Sequence, residues 1–545
     1  MSAQADVCVI GAGHNGLVAG CYLARAGLDV LVLEAAPEPG GCIATLDLPG
    51  GRGRLELGAY EHGGIRASGV AADLELESRF GLRFHERDQQ TLSPCDDGTA
   101  LAFWSSLDRT VEGLGEVCGP QEAERYRRFA RWSEAAMAVL GQADAGPPPS
   151  LRELTALAEA GLGSEGGRLV QSLLAPATAV TGAAFSDDRL RGTLDHWAAH
   201  SQLPPQMPGT GAGALFLAAG HGSPSIRPAG GSRGTVDALV RCLEAAGGRL
   251  RCSAPAERIE LAGGRAGAVV AGGERITVRR GVVSAIDARR VFLGLLEEAD
   301  VPPALLEEVR RIHTTQHNVS ELKVDAIVTA PGSLPGPPGF ERALMLSPNS
   351  GSDIAAAFAR IGCGELPERP PLMVGFPSRL EDGWAGEGED AVWLSTFVPW
   401  ALRSGAWDGD ALEAAAELAW ATAERALGTR LEVRERVLTG PEQWVERHGN
   451  AEANPNHVEM SIDQLMGMRP SPSLSGYRTP VGGLYLSGAG THPGGGVTGM
   501  PGRNAAAVVL ADLGLRRRSR AGRLRSRIAL LRDALRAARA LRGAA

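Results

Sequence analysis

Lysine is almost missing from this chain. Of 55 basic residues among 545, one is lysine, Lys323, and the rest are arginine. So complete a preference reads as the codon usage of a GC-rich bacterial genome and singles out the one exception. The eight cysteines, at 8, 21, 42, 95, 118, 242, 252 and 363, form no C-x-x-C pair and no metal-ligand spacing. That excludes a zinc framework and points to a reducing compartment rather than a disulfide scaffold. No apolar run reaches membrane-spanning length, and the first strand starts too close to the N-terminus to leave room for a signal peptide. A cytoplasmic chain of two or three domains is the expectation. The net charge of −8 is unevenly placed: residues 515–545 carry eleven arginines and one aspartate, a charge of +10 set against −18 in the rest. An acidic body of that size excludes nucleic acid as the main partner.

What is there begins at Asp6. Val7, Cys8, Val9 and Ile10 form a short apolar run suited to a parallel strand buried on both faces. Gly11, Gly13 and Gly16 follow at G-x-G-x-x-G spacing: the first for the tight turn, the second for close approach of a pyrophosphate, the third for helix–strand packing. Leu17–Ala26 reads as a helix stopped by Gly27, and Val30–Leu33 as a second strand ending in Glu34, an acid placed to accept hydrogen bonds from a ribose. Strand, glycine turn, helix, strand and terminal acid together make a dinucleotide site. No second such unit appears, because Gly209-x-Gly-x-Gly213 lies in a proline-rich loop and not after a strand; this excludes a separate NAD(P)H domain.

Downstream, paired Gly40 and Gly41 can pass close beneath a ligand, and the glycine-rich stretch 51–64 carries Tyr60, Glu61 and His62. A helix is expected at Gln121–Arg131, a loop at Gly146–Pro149, and a crossing between domains at Leu203–Gly213. After Pro228-Ala-Gly-Gly a helix runs to about Ala246. Strands at Arg249–Cys252, Ala256–Leu261, Ala268–Ala271, Ile276–Val278 and Gly281–Ala285, with Gly-Gly turns at 263–264 and 272–273, then give a meander ending in a buried strand. Further strands are expected at Asn318–Val328 and Ala391–Val398 and a helix at Asp410–Leu427.

The stretch Gly483-Leu-Tyr-Leu-Ser-Gly-Ala-Gly-Thr-His-Pro-Gly-Gly-Gly-Val-Thr-Gly499 resembles the C-terminal flavin motif of the phytoene desaturase-like branch of the amine oxidase superfamily. The N-terminal fingerprint, the Pro228 turn, the strand through Val283-Ser284-Ala285, and Asp463-Gln464-Leu465 with Arg469-Pro470 look like the same family, near the carotenoid desaturases and the pyridine nucleotide-disulfide oxidoreductase domain-containing protein 2 branch. The likeness implies an α/β, two-dinucleotide-binding-domain flavoprotein of Rossmann type with an inserted α+β substrate domain. Its FAD-binding domain would be discontinuous, 1–75, 225–300 and 476–515, with 76–224 and 301–475 covering the flavin. It implies non-covalent FAD, held by Gly11, Gly13, His14, Asn15, Gly16, Glu34, Ala35, Gly40, Gly41, Ala256, Gly488, Ala489, Gly496 and Val497. The helix start after Gly496 and Val497 would stabilise charge on the reduced ring. Two departures stand out: Gly488-Ala489 replaces the Gly-Asp pair of many relatives, and Cys42 replaces the Arg that often follows the paired glycines. A covalent Cys42–flavin link and a plain small core residue are the two readings of that cysteine.

The resemblance implies hydride transfer to flavin from an extended, largely apolar, polyene-like substrate, with dioxygen or a membrane quinone as electron acceptor. A redox or redox-neutral cyclase or isomerase of a polyene intermediate and a non-catalytic flavin-carrying scaffold are the competing expectations. Three polar residues are candidates for a catalytic part. Lys323 shares a strand face with Glu321 and Asp325, either as a charge near the flavin or as part of a solvated face. Glu61 and His62 are placed as acid or base, or as loop structure, and His492 reads as loop packing. In the tail, Leu524, Ile528, Leu531 and Leu535 recur at helical spacing among arginines, a basic amphipathic helix suited to the inner face of a membrane or to the acidic body.

Overall fold

The computed structural model describes residues 4–515, so the expectations for the arginine-rich tail at 516–545 lie outside the described residues. The N-terminal unit is β1 (Gln4–Ile10), α1 (His14–Arg25) and β2 (Val30–Leu33). The chain returns to it with α2 (Ser232–Ala245), β3 (Arg249–Arg251), β4 (Ala256–Ala262), β5 (Arg265–Ala271) and β6 (Glu274–Ser284), and again with β7 (Leu484–Leu486) and α3 (Met500–Asp512). These seven strands make one sheet in the order β4-β5-β6-β1-β2-β3, with β7 added beside β6. Val9 lies opposite Val32 on one side and Val283 on the other in parallel pairing. Alternation along β1 explains why the whole run is apolar: Val7 and Val9 enter a core with α1, α2 and α3, while Cys8 and Ile10 enter a second core with the meander.

The stretches Ile276–Val278 and Gly281–Ala285, expected as two strands, are one. β6 runs through both, with one extra residue bulged where it faces Asp6. The bulge brings Arg279 Nε to 3.0 Å from the Asp6 carboxylate. A single strand therefore belongs to both the antiparallel meander and the parallel sheet.

A second seven-stranded sheet runs Val433–Thr439, Val319–Thr329, Glu389–Pro399, Leu372–Gly375, Leu344–Ser347, Gln89–Pro94, Ala100–Trp104. All its pairings are antiparallel except Leu344–Ser347 with Gln89–Pro94. The strand Val319–Thr329 starts one residue later than expected because Asn318 is left-handed, with its side chain holding Ile361 O and Ala401 O at 3.0 Å each. One face of this sheet, with Leu322, Val324 and Leu394, packs under the alanine-rich helix Gly409–Leu427. The opposite face meets the segment 48–60: Ile327 and Ala391 pack with Leu55, Leu57 and Trp384, and Trp393 Nε1 donates to Gly58 O at 2.8 Å.

Helices form a third layer. The helix expected at Gln121–Arg131 spans Pro120–Ala143, since the alanine-rich continuation keeps its buried stripe going. Helices at Leu151–Leu162, Gly166–Leu174, Ala177–Ala184 and Asp188–Ala199 follow. The segment Leu203–Gly213, expected as a crossing, stays inside this layer, with Gly209 N and Gly211 N bonded to Leu174 O and Ala175 O. The chain leaves the layer at Ser225–Pro228, which pairs with Phe84–Arg87. Among the described residues no helix is long and apolar enough to cross a membrane.

Candidate functional site

A cavity of about 1230 Å³ opens where β1 and β2 end, at Ile10, Leu33 and Glu34. Ligands of open parallel sheets bind at that edge because the strand ends and helix N-termini point there. The glycine spacing is enforced sterically. A Cβ on Gly16 would lie 1.9 Å from Gly11 O, and Gly11 itself has φ +95° with Ile286 against it. Gly40 N bonds to Ala12 O, and a Cβ on Gly41 would sit 3.2 Å from Gly13 Cα, so the two glycine turns stack backbone on backbone. Glu34 is held ready: one carboxylate oxygen accepts from Ala12 N at 2.7 Å, the other from Ala36 N at 3.0 Å.

Gly11, Gly13, His14, Asn15, Gly16, Glu34, Ala35, Gly41, Ala256, Gly488 and Ala489 all line this cavity. Three expected residues do not. Gly40 lies behind the wall, where a Cβ would clash with Ile43 O at 2.5 Å. Gly496 turns its carbonyl to His14 Nε2 at 3.1 Å, and the Val497 side chain is buried in the α1–α3 core. Burial depresses the His14 imidazole to about 4, so it is neutral near pH 7 and its ring orients the 496–499 loop.

The polar candidates from the segment at 61–62 are spent elsewhere. Glu61 forms an ion pair with the buried Arg87. His62 is fully buried, with Nδ1 2.8 Å from Thr235 Oγ1 and Nε2 3.2 Å from Ser232 Oγ, and burial pushes it down to about 3. It pins the loop to the start of α2. Lys323 is also fully buried, so the solvated-face reading of its strand falls. Its Nζ donates to Asp325 Oδ1 and to Leu394 O, each at 3.0 Å, and sits 4.0 Å from the centre of the Trp393 ring. Desolvation lowers the lysine and raises Asp325 to about 7. Glu321, on the same face, is raised by burial and accepts from Ser395 Oγ at 2.5 Å. His492 is buried against Ala143 O at 3.2 Å. Among the described residues no group of three His, Cys, Asp or Glu side chains is placed to hold a metal ion.

Sequence reasoning missed the cavity's other wall, the segment 446–457, which is the last turn of the helix Pro441–His448 and the loop that follows it. Arg447, His448, Asn450 and His457 all line the cavity from it. His448 Nε2 and His457 Nδ1 are buried with no partner, as is Asn15 Oδ1. Polar atoms left open inside a cavity are paired when a ligand arrives. The loop is fixed by Arg469, fully buried and donating to Asn456 O, Val458 O, Glu459 O, Gln464 O and Ala489 O; burial lowers it to about 9. Asn450 Nδ2 lies 3.9 Å from Cys42 Sγ, and burial pushes that thiol up to about 12. Burial thus disfavours the thiolate through which a covalent attachment would form. Enforced glycine turns, a preset acid and open polar atoms together fit a bound dinucleotide flavin.

Comparison with known proteins agrees with this site. Residues 9–70 match the family described as NAD(P)-binding Rossmann-like domain. Over 549 aligned positions the chain is 29% identical to pyridine nucleotide-disulfide oxidoreductase domain-containing protein 2 of Rattus norvegicus, covering 93% of this chain and 94% of that one. It is 26% identical to hydroxyneurosporene desaturase of Rhodobacter capsulatus, over 94% of this chain and 99% of the relative. Among solved structures, an oxidoreductase from Methanosarcina mazei superposes with a TM-score of 0.57 at 15% identity, over 93% and 99% of the two chains, a likeness of fold.

Proposed function

We propose, from the premise that this chain is a phytoene desaturase-like oxidoreductase, that it dehydrogenates an extended, largely apolar, polyene-like substrate by hydride transfer to non-covalently bound FAD. When bound, FAD supplies the two-electron acceptor for a C–H bond that no side chain could oxidise. The observation that carries this reading is the state of charge between the two sheets. Glu56 pairs with Arg227 at 2.9 Å, Glu61 with Arg87, and Lys323 with Asp325 at 3.0 Å. His62 has both ring nitrogens occupied. Among the described residues two groups on that side stand outside these pairs, Glu321, which accepts from Ser395 Oγ, and the Tyr60 hydroxyl, which has no partner; the rest of the wall is apolar or paired, with the Tyr60 and Trp393 ring centroids 5.2 Å apart. An arrangement of this kind suits a chain that is held by apolar contact and reacts by giving up hydride.

The protein's residues then have separate tasks. Gly11, Gly13 and Gly16 let the diphosphate approach the N-terminus of α1, and Glu34 takes the ribose hydroxyls. His14 and Arg469 fix the 496–499 and 456–464 loops against the ring system. Tyr60 and Trp393, backed by the Lys323–Asp325 pair, keep water from the reacting carbon. Dioxygen or a membrane quinone takes the electrons.

The test is direct. The purified protein is expected to show a flavin spectrum that is released entirely on denaturation and filtration, and to bleach anaerobically when a carotenoid precursor is added in detergent. Colour retained on the unfolded chain would restore Cys42 as an attachment point. Turnover without any acceptor would replace desaturation by a redox-neutral cyclisation or isomerisation. Flavin uptake with no turnover under any acceptor would leave a flavin-carrying scaffold.

A further inference from the structure

The cavity is a poor place for a diphosphate if only its glycine turns are considered. Its lining contains Glu34, Glu38, Asp237 and Glu446, and two phosphate charges brought beside them are repelled. Three arginines also line it: Arg233, Arg290 and Arg447. Arg233 is committed, forming an ion pair with Asp47 and donating to Thr45 O at 2.9 Å. Arg290 and Arg447 are not: among the described residues neither has an ion-pair or hydrogen-bond partner. The position that carries an arginine in many flavoproteins is Cys42, a thiol beside Asn450.

Their placement is coherent. A Cβ on Gly449 would lie 2.3 Å from Arg290 Nη1, so the Arg290 guanidinium rests on the backbone at Gly449, the left-handed residue (φ +62°) that ends the helix Pro441–His448. Arg447 stands two residues earlier, in the last turn of the helix Pro441–His448, and its guanidinium is lowered by desolvation in the cavity wall. Asn450 then touches Cys42, and Gly41 stacks on Gly13. Two unpaired cations thus line the same cavity as the glycine turn Gly11–Gly16, from parts of the sequence more than 270 residues away.

We propose that Arg290 and Arg447 form a cationic clamp on the diphosphate of the bound dinucleotide, supplying from the ends of two separate helices the charge that Cys42 does not. This rests on the flavin reading above. Guanidinium groups bind phosphate oxygens through two parallel N–H donors, which makes them effective even where the cavity is open to water. The clamp also gives the segment 446–457 a reason to line the cavity: binding the diphosphate neutralises the two arginines that, among the described residues, are left unpaired on its wall.

The test is titration of flavin-free protein with FAD, followed by flavin fluorescence, for the unaltered chain and for Arg290→Gln, Arg447→Gln, the double variant and Arg152→Gln, an exposed arginine of the helical layer. Each clamp substitution is expected to weaken FAD binding at least tenfold, and the pair at least a hundredfold. Arg152→Gln is expected to leave it unchanged. The unfolding midpoint of the flavin-free protein is expected to be the same throughout, since among the described residues neither arginine has an ion-pair or hydrogen-bond partner. Clamp variants within twofold of the unaltered chain, or no weaker than Arg152→Gln, would overturn the clamp while leaving the flavin reading intact. A lowered midpoint in the flavin-free variants would also overturn it, by making the arginines part of the fold. If the unaltered chain takes up no FAD at all, the flavin reading falls and the clamp with it.

Discussion

In the first sheet the strand cores are apolar, and polar groups are held back to the strand ends, where Glu34, Asn15 and the glycine turns wait for a ligand. In the second sheet charge is buried in mid-strand, where Lys323 and Asp325 pair inside the protein at no measurable exposure. The two solutions serve opposite ends. Polar atoms left open at a strand edge are an invitation to a polar cofactor, whereas charges that satisfy one another leave a neutral surface. The first sheet thus presents a polar socket at its strand ends, and the second buries most of its mid-strand charge in pairs.

That contrast can be broken at its most sensitive point with Gly16→Ala. The new Cβ would meet Gly11 O at 1.9 Å in a backbone-to-backbone contact that has no side chain to yield. The cost exceeds the ~1–3 kcal/mol of ordinary overpacking, and the purified variant is expected to be colourless; flavin absorbance equal to that of the unaltered protein would show that the first sheet does not depend on its backbone geometry. Lys323→Met addresses the other side. It strands Asp325 in the interior and is expected to cost ~3–5 kcal/mol in urea unfolding, while adding Asp325→Leu recovers most of that loss. A double variant as unstable as the single one would mean that the pair is not self-contained.

The next effect is smaller and depends on pH. Asp195 is 3% exposed and accepts from Thr181 Oγ1 at 2.8 Å, and burial pushes its carboxyl up to about 7. Its folded value lies above the unfolded one, so its stabilising contribution is complete below about pH 4 and is lost as pH rises through 7. Asp195→Asn is expected to flatten that part of the stability profile and to be ~2 kcal/mol more stable than the unaltered chain at pH 8. Unchanged pH dependence would show that lone buried acids here behave like paired ones. Smallest is Ser150→Ala. Ser150 and Glu153 form a capping box at the start of Leu151–Leu162, and its loss is expected to cost ~1 kcal/mol in urea without changing flavin content.

How far each region could be read in advance follows from the same contrast. A site built from backbone needs glycine at fixed spacing, so β1, α1, β2, Glu34 and the turn at 40–41 are written plainly in the residues. The meander was equally legible from its Gly-Gly turns, except that the bulge opposite Asp6 joins two expected strands into one. Lys323 drew notice by its rarity, and period two put Glu321, Lys323 and Asp325 on one face. Periodicity cannot say whether that face meets water or another sheet, and here Leu55, Leu57 and Trp384 cover its neighbours. His62 shows the same limit: a histidine in a glycine-rich loop looks available until Ser232 and Thr235 close on it. The segment 446–457 left no sign, because its helix, Pro441–His448, is short and its cavity-lining arginine, histidines and asparagine share the cavity with α1 only across several hundred residues.

The position of β7 has a consequence for how the protein is made. β6 lies between β1 and β7, so the parallel sheet draws on residues 4–10, 274–284 and 484–486, and the cavity also needs Gly488 and the segment at 446–457. Pairings so distant along the chain are slow to form and cannot begin before the later partner has emerged from the ribosome. The N-terminal fingerprint is therefore synthesised first but becomes a binding site among the last, and for most of translation its apolar strands must be shielded from other chains.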